Sequence, residues 1–228
     1  MSTLQQILDP IEPGGGMALL AFDSHSGVLV RTPCSSLIFD PVGTRVEEVA
    51  RADAIVITHE HSDHLNVPLV AELQRKTDAI VVTTPFVAGL LRDVPSERIR
   101  PMEIGESISI GGDRLGAWPS VHPGRQPLSF FLETEEGVRL YHPSDSDPFP
   151  EMGELTGQGG ADLLLYLGSS LEKALQIAGL VRPRTLLSRY LEPTQTARRL
   201  EAEVNGTRNE VLEPLEIFRC PSQQAPSR

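Results

Sequence analysis

A run of histidines constrains this chain more than any other feature of its sequence. Residues 58–64 read Thr-His-Glu-His-Ser-Asp-His and follow directly on the apolar run at residues 54–57. A continuous apolar run of this kind is typical of a strand buried on both faces. Three of the six histidines fall in this window, and composition alone would produce the pattern His-x-His-x-Asp-His with a probability on the order of 10⁻⁴. The sequence therefore predicts a buried strand with imidazoles clustered at its end.

The spacing within this window suits metal ligation. Because alternate residues of an extended segment point to the same side, His59 and His61 can share one cation. Asp63 and His64 follow where we expect the chain to turn into a helix, so they can face a second cation about 3.5 to 4 Å from the first. Neutral imidazole and carboxylate are suitable ligands for zinc, manganese or iron. The alternative is an exposed polar turn whose histidines cap a helix or bond to water, but crowding beyond a buried strand favours the metal site.

Short apolar runs elsewhere predict a layered α/β domain. Three strands before residue 44 are expected to form a meander, helices and strands alternate from residue 44 to residue 94, and short strands return from Ile104 to Leu140. The predicted strands are residues 17–22, 27–32, 35–40, 54–58, 79–84, 106–112, 114–121, 128–134, 137–142 and 161–167. The predicted helices are residues 44–53, 66–76, 86–94, 170–180 and 194–204, the last two lying on either side of the segment 184–188. This order suits helices that cover a pair of packed sheets.

Length and the character of the two ends predict one soluble domain. A chain of 228 residues favours one domain over two. We expect residues 1–16 to be a flexible lead-in, since Pro13 and three glycines resist regular structure, residues 17–220 to form the domain, and residues 221–228 to fray. The start of the chain does not resemble a secretory signal, so we expect a cytoplasmic location. No apolar run reaches the roughly 18 residues that would cross a bilayer, so we expect no membrane partner.

Charge and cysteine content disfavour several classes of protein. The net charge of -11 would repel a phosphate backbone, so we expect no nucleic-acid partner. Cys34 and Cys220 are the only cysteines, too few for a disulfide framework or a structural zinc cluster. We expect both to be free thiols. No pattern in the sequence defines an oligomeric state.

Further segments extend the histidine window into a family resemblance. They are Asp40-Pro41 after the third predicted strand, Ser120-Val121-His122-Pro123, and Tyr141-His142-Pro143-Ser144-Asp145. With residues 58–64, they make the stretch from about Met17 to Tyr190 resemble the metallo-β-lactamase superfamily, and within it the branch of ascorbate-6-phosphate lactonase-like hydrolases. The resemblance implies an α/β fold, the four-layer αββα sandwich of that superfamily.

The resemblance also implies a first metal position held by His59, His61 and His122. On its own, His122 in a loop rich in proline and glycine would be an ordinary surface residue. Its place after a predicted strand, where the family has a ligand, makes it a metal ligand.

A second metal position is implied at Asp63 and His64, with Asp145 bridging the two cations. In isolation, Asp145 would be a simple turn residue. His25 and His142 match family positions near the metal shell, where each is a packed imidazole or a functional group.

The sequence departs from the family pattern in two places. Family members usually supply a further histidine to the second metal after a late strand, but no histidine follows His142 here. The expected position falls on Tyr190 or, with a one-residue shift, on Arg189, which we expect either to contact the substrate or to face solvent. Losing one imidazole should weaken the second metal position more than the first. Ser144 stands where the family commonly has glycine.

These features predict a metal-dependent hydrolase that uses a metal-activated water on an ester, lactone or phosphoester bond of a small molecule. Asp63 is the predicted catalytic residue, which orients the water and passes its proton to the leaving group. Zinc is the expected metal, with manganese or iron as alternatives, and one or two ions are expected. The alternative is a catalytically impaired binding or regulatory protein with an incomplete second metal site. A nuclease of the same superfamily is disfavoured by the acidic composition.

Overall fold

The computed structural model describes residues 15–22, 26–157 and 159–221. Most of the predicted lead-in and tail, together with His25, lies outside the described residues. The strands extend from Met17 to Cys220. None of the helices in the described ranges is long and apolar enough to cross a bilayer.

The described residues form fourteen strands and five α-helices. The strands are β1 (Met17–Ala21), β2 (Val28–Arg31), β3 (Ser36–Phe39), β4 (Ala54–Val56), β5 (Ile80–Thr83), β6 (Ile99–Pro101), β7 (Ser107–Ile110), β8 (Asp113–Pro119), β9 (Leu128–Glu133), β10 (Arg139–His142), β11 (Leu163–Tyr166), β12 (Thr185–Ser188), β13 (Arg208–Val211) and β14 (Ile217–Cys220). The helices are α1 (Val67–Thr77), α2 (Pro85–Ala88), α3 (Glu154–Gly157), α4 (Leu171–Val181) and α5 (Pro193–Glu203). Short 3-10 turns lie at Val46–Glu48, Ser96–Arg98 and Pro150–Gly153.

The strands form two seven-stranded mixed sheets. The first has the order β14-β1-β2-β3-β4-β5-β6 and the second β13-β12-β11-β10-β9-β8-β7. Strands β3 to β6 are parallel in the first sheet, and β10 to β13 are parallel in the second. Because parallel strands end at the same edge, the loops that follow β4, β5, β10 and β12 leave their sheets at the carboxyl edges, where ligands of layered α/β folds commonly bind.

Three apolar clusters define four layers. The central cluster joins inward side chains of both sheets, such as Phe39 and Phe130, whose ring centroids lie 6.1 Å apart. A second cluster packs α1 and α2 against the outer face of the first sheet, and a third packs α4 and α5 against the second sheet. A sheet or helix with one apolar face must bury that face against another layer, which gives the order helix, sheet, sheet, helix. The predicted four-layer αββα fold is confirmed.

Most of the predicted elements occur near their expected places, but the predicted helix at residues 44–53 is wrong. Only Val46–Glu48 form a 3-10 turn, and Val49 is already extended. The backbone of Asp53 donates to the carbonyl of Ser36, 2.8 Å away, while the Asp53 carboxylate accepts from the Ser36 backbone at 2.9 Å. Pairing with the neighbouring strand therefore outweighs the weak helical periodicity.

The predicted helix at residues 86–94 is shortened, and three strands were missed. Helix α2 ends at Ala88 and is followed by turns. Strands β6, β13 and β14 have no fully buried residue, and the sequences of β6 and β13 lack the apolar run that indicates a strand. Strand β6 and strands β13 and β14 lie at sheet edges, where pairing on one side only requires little apolar surface.

Candidate metal centre

The histidine window begins where β4 leaves the first sheet. Ile57 still pairs with Val82, and the carbonyl of Thr58 accepts a hydrogen bond from the backbone of Leu128 in the second sheet at 3.0 Å. This bond ties the two sheets together at their carboxyl edges. His59 is fully buried at this junction, so the side chain that begins the window is shielded from solvent.

Three imidazoles converge beside this junction. The Nδ1 atom of His61 lies 3.1 Å from Nε2 of His59 and 3.1 Å from Nε2 of His122. A tetrahedral cation with metal–nitrogen bonds of about 2.0 to 2.1 Å would place its ligand nitrogens about 3.3 Å apart. The spacing and the imidazole donors therefore fit a bound transition metal, and these three residues could hold it.

A second donor group shares His59 with the first and adds His64 and Asp145. The Nε2 atom of His64 lies 3.3 Å from Oδ2 of Asp145, whose Oδ2 is also 3.9 Å from Nε2 of His122. Asp145 therefore faces ligand nitrogens of both groups, as a bridging carboxylate must. The sequence-predicted residues His59, His61, His64, His122 and Asp145 come together in this way.

Asp63 lies at the rim of the cluster. Its side chain is 54% exposed, and its Oδ2 atom is 3.7 Å from Nε2 of His64. It belongs to neither of the two compact donor groups. An exposed carboxylate at this distance can face water and the donor cluster at once.

Arg189 and Tyr190 follow β12 at the carboxyl edge of the second sheet. The guanidinium carbon of Arg189 lies 5.1 Å from the centroid of the Tyr190 ring, which is a cation–π contact. Tyr190 is 49% exposed. The structure places this pair two strands away from β10, the strand that leads to Asp145, and outside both donor groups.

A buried carboxylate that sequence reasoning did not assign supports the cluster. Asp40 accepts hydrogen bonds from the backbone and the hydroxyl of Thr58, each at 2.8 Å, and lies 2.8 Å from Nδ1 of His64. A carboxylate on the far ring nitrogen of a ligating histidine fixes the ring orientation. The signal in the sequence was the Asp40-Pro41 pair, which carried the resemblance without indicating this role.

Thr58 determines which nitrogen of His59 is available. The single proton of the Thr58 hydroxyl goes to Asp40, because a carboxylate can only accept. The Thr58 oxygen, 3.0 Å from Nδ1 of His59, therefore accepts a proton from that nitrogen. This leaves Nε2 of His59 unprotonated and directed at His61, as a metal ligand requires.

Electrostatics divides the cluster into neutral and charged groups. Burial, with the positive charge of His64 in addition, lowers the pKa of His59 to about 4. Burial also lowers the pKa of His122. For His64, burial acts in the same direction, but Asp40 and Asp145 outweigh it and raise the pKa to about 10. The hydrogen bond from His64 lowers the pKa of Asp145 to about 2 despite burial. His59 and His122 are thus neutral imidazoles, whereas His64 carries a proton between two carboxylates.

Comparisons with known proteins identify the family of this chain. Residues 20–200 match the family described as the beta-lactamase superfamily domain. The UPF0173 protein PF0020 of Pyrococcus furiosus is 30% identical over 167 residues, which cover 70% of this chain and 77% of the relative. The UPF0173 metal-dependent hydrolase TTHA1283 of Thermus thermophilus is 27% identical, with 89% of this chain and 99% of the relative covered.

Similarity to solved structures supports the fold. The structure of Igni18, a metallo hydrolase from the archaeon Ignicoccus hospitalis, superposes with a TM-score of 0.75 at 20% identity, covering 90% of this chain and 99% of that one. The predicted superfamily and the predicted class, a metal-dependent hydrolase, are confirmed by the family match and the relatives. The chain therefore belongs to the β-lactamase superfamily. Within that superfamily it belongs to the UPF0173 group, which includes proteins named metal-dependent hydrolases.

Proposed function

We propose that this protein hydrolyses an ester, lactone or phosphoester bond of a small molecule with a water molecule activated at the histidine cluster. The observation that carries the proposal is the convergence of three imidazole nitrogens, from His59, His61 and His122, beside the carboxylate of Asp145. Lactones are included because the sequence resembles the ascorbate-6-phosphate lactonase-like branch. The net charge of -11 argues against a nucleic-acid substrate.

The residues around the centre have separate roles in this proposal. His59, His61 and His122 hold the first cation, and His64 with Asp145 contributes to a second position beside it. When bound, such a cation lowers the pKa of water toward neutrality and polarises the bond to be cleaved. Thr58 keeps Nε2 of His59 unprotonated.

Asp63 is the catalytic residue of the proposal. Its exposed carboxylate lies at the rim of the donor cluster, 3.7 Å from His64. From there it can accept a proton from the attacking water and return it to the leaving oxygen, the role of a general acid and base. It completes the second metal position in the two-metal form of the centre.

Zinc is the proposed metal, since a set of three imidazoles suits it, although manganese or iron fits the same ligands. The first position binds more tightly than the second in this proposal. The first has three imidazole ligands, whereas the second lacks the late histidine that family members usually supply. One strongly bound ion and one weakly bound ion per chain are therefore expected.

Arg189 and Tyr190 form part of the substrate-binding wall in this proposal. Both follow a parallel strand at the carboxyl edge. A guanidinium stacked on a partly exposed ring offers a planar, positively charged surface. Such a surface suits a substrate with a carboxylate, phosphate or lactone carbonyl.

The direct test compares the zinc-loaded protein with His61→Ala. Suitable probes are 4-nitrophenyl acetate for esters, dihydrocoumarin for lactones and bis(4-nitrophenyl) phosphate for phosphoesters. We expect turnover of at least one probe and a loss of at least about 100-fold in His61→Ala, because a three-ligand set loses one ligand. Ser36→Ala is the control and should retain full activity. The Ser36 hydroxyl donates a hydrogen bond to the carbonyl of Arg51 at the opposite edge of the first sheet, away from the metal centre. Equal rates in the wild-type protein and His61→Ala would contradict the proposal.

A second candidate function is a binding or regulatory protein with an impaired site. The observation that favours it is the absence of any histidine after His142 in the sequence. It predicts that the protein binds zinc at His59, His61 and His122 but turns over none of the three probes. Stoichiometric binding of two zinc ions with turnover would contradict it.

A further inference from the structure

Asp145 lies in a tight turn between Ser144 and Ser146, and both serine hydroxyls are held by hydrogen bonds. The segment Pro143-Ser144-Asp145-Ser146 forms a turn closed by a hydrogen bond from the Ser146 backbone to the Pro143 carbonyl at 3.2 Å. Ser144 and Ser146 are 5% and 2% exposed, whereas the side chain of Asp145 is 34% exposed. Two buried hydroxyls thus flank a carboxylate that faces both donor groups.

Ser144 adopts a backbone conformation that glycine would adopt at less cost. Its φ angle is 54°, in the left-handed region that disfavours residues with a Cβ atom. Strain of this kind persists only where surrounding contacts hold it. The contact here is a hydrogen bond from the Ser144 hydroxyl to Oγ1 of Thr58 at 2.9 Å.

The Ser144 hydroxyl donates to Thr58, the residue that directly precedes His59. The Thr58 oxygen donates to Asp40 and accepts from both Ser144 and His59, so its donor and its two acceptor positions are all used. Ser144 therefore connects the turn of Asp145 to the loop that carries the first histidines.

The Ser146 hydroxyl makes the corresponding connection on the other side. It accepts a hydrogen bond from the backbone of Val121 at 2.8 Å and donates to the carbonyl of Asp147 at 2.8 Å. The backbone of Asp147 in turn donates to the Val121 carbonyl at 2.8 Å. Val121 directly precedes His122, so Ser146 connects the same turn to the loop of the third histidine.

We propose that Ser144 and Ser146 form a clamp, the serine clamp, that positions Asp145 between the His59 loop and the His122 loop. Ser144 holds the turn to Thr58, and Ser146 holds it to Val121. The serines act as positioning residues, because they touch the ligand-bearing loops and not the reacting atoms. The inference rests on the metal centre of the proposed function.

The test measures zinc affinity by competition with a chromophoric chelator for the full-length protein and four variants. Ser144→Ala and Ser146→Ala each remove one side-chain connection, and the double variant removes both, while the backbone hydrogen bond from Asp147 to Val121 remains. We expect each single variant to lose about threefold to tenfold in zinc affinity, in line with groups that orient ligands. The double variant should lose more than the product of the single losses, because the remaining connection holds the turn in each single variant. Ser36→Ala, which also loses a buried hydroxyl, should bind zinc like the wild type.

A fifth variant, Ser144→Gly, separates positioning from stability. It relieves the left-handed backbone and removes the hydroxyl, so its Tm should equal or exceed that of Ser144→Ala, while its zinc affinity should fall equally. The visible spectrum of the cobalt-substituted protein should shift in Ser144→Gly and stay unchanged in Ser36→Ala. Wild-type zinc affinity in Ser144→Gly and in the double variant would overturn the serine clamp and leave the proposed function intact. Failure of the wild-type protein to bind zinc would instead overturn the proposed function and the clamp with it.

Discussion

Asp40 and His64 are joined by a buried hydrogen bond, with 2.8 Å between Oδ2 of Asp40 and Nδ1 of His64. Both side chains are at most 2% exposed. The contact directs the other ring nitrogen of His64 toward Asp145, 3.3 Å away. A residue outside the histidine window thus sets the orientation of a ligand inside it, because a carboxylate on the far nitrogen fixes both tautomer and ring plane.

Asp40→Asn should weaken metal binding by about 10- to 100-fold, because the amide keeps the shape but loses the charge that orients His64. Chelator competition with zinc measures the change. The matched control is Asp53→Asn, which removes a carboxylate charge at the opposite end of β4, where Asp53 bonds to the Ser36 backbone. Equal zinc affinities in the two variants would contradict the role of Asp40.

Arg189→His should raise the affinity of the second metal position, since the resemblance expects an imidazole here or one residue later. Metal content after dialysis against a weak chelator is expected to rise from one zinc per chain toward two. Tyr190→His is the matched variant, because the resemblance places the missing ligand at one of these two positions. An unchanged zinc content in both variants would contradict the alignment of this segment with the family ligand.

The metal-free protein should lose stability as the pH falls from about 6.5 toward about 4, through His59. Its pKa is about 4 in the folded protein, against 6.5 for an ordinary histidine, mainly because burial disfavours the charged ring. The unfolded chain therefore binds more protons in this window, and stability is present above the unfolded pKa and declines below it. The difference corresponds to about 3 kcal/mol.

Urea denaturation of the EDTA-treated protein at pH 7 and pH 4.5 measures this change, with His59→Gln as the comparison. The glutamine variant should show a smaller pH dependence in the window, because its side chain does not titrate. Asp145, with a pKa lowered to about 2, affects stability mainly below this window. If the free energy of unfolding depended on pH equally in the wild-type protein and in His59→Gln, His59 would be excluded as the source of the pH dependence.

Two glycines with left-handed backbone should respond differently to alanine. Gly105 has a φ of 89° with nothing within 4 Å of an added Cβ, whereas a Cβ at Gly111, φ 62°, would lie 2.4 Å from the carbonyl oxygen of Cys34. Gly105→Ala should cost about 1 to 2 kcal/mol of backbone strain. Gly111→Ala should cost more than Gly105→Ala, since the backbone of the β2–β3 turn must also move. Equal midpoints of urea denaturation in the two variants would contradict this.

Local patterns predicted the strands that build the centre of each sheet. The apolar runs that became β3, β4 and β5 are recognisable because strands buried on both faces need continuous apolar sequence. The edge strands β6 and β13 were missed, since pairing on one side leaves them polar, whereas β14 was missed although Ile217 and Phe218 are apolar. Residues 44–53 were misassigned because pairing with Ser36 overrode a weak helical period.

The sequence by itself determined the buried strand, the window from Thr58 to His64 and the type of ligand, because these depend on residue spacing of a few positions. Only the tertiary structure decided that His122 and Asp145 reach this window, and that Asp40, Thr58 and the serine clamp hold it. Those contacts join residues up to 86 positions apart. They depend on strand order and on how two sheets meet at their edges, which no short-range pattern encodes.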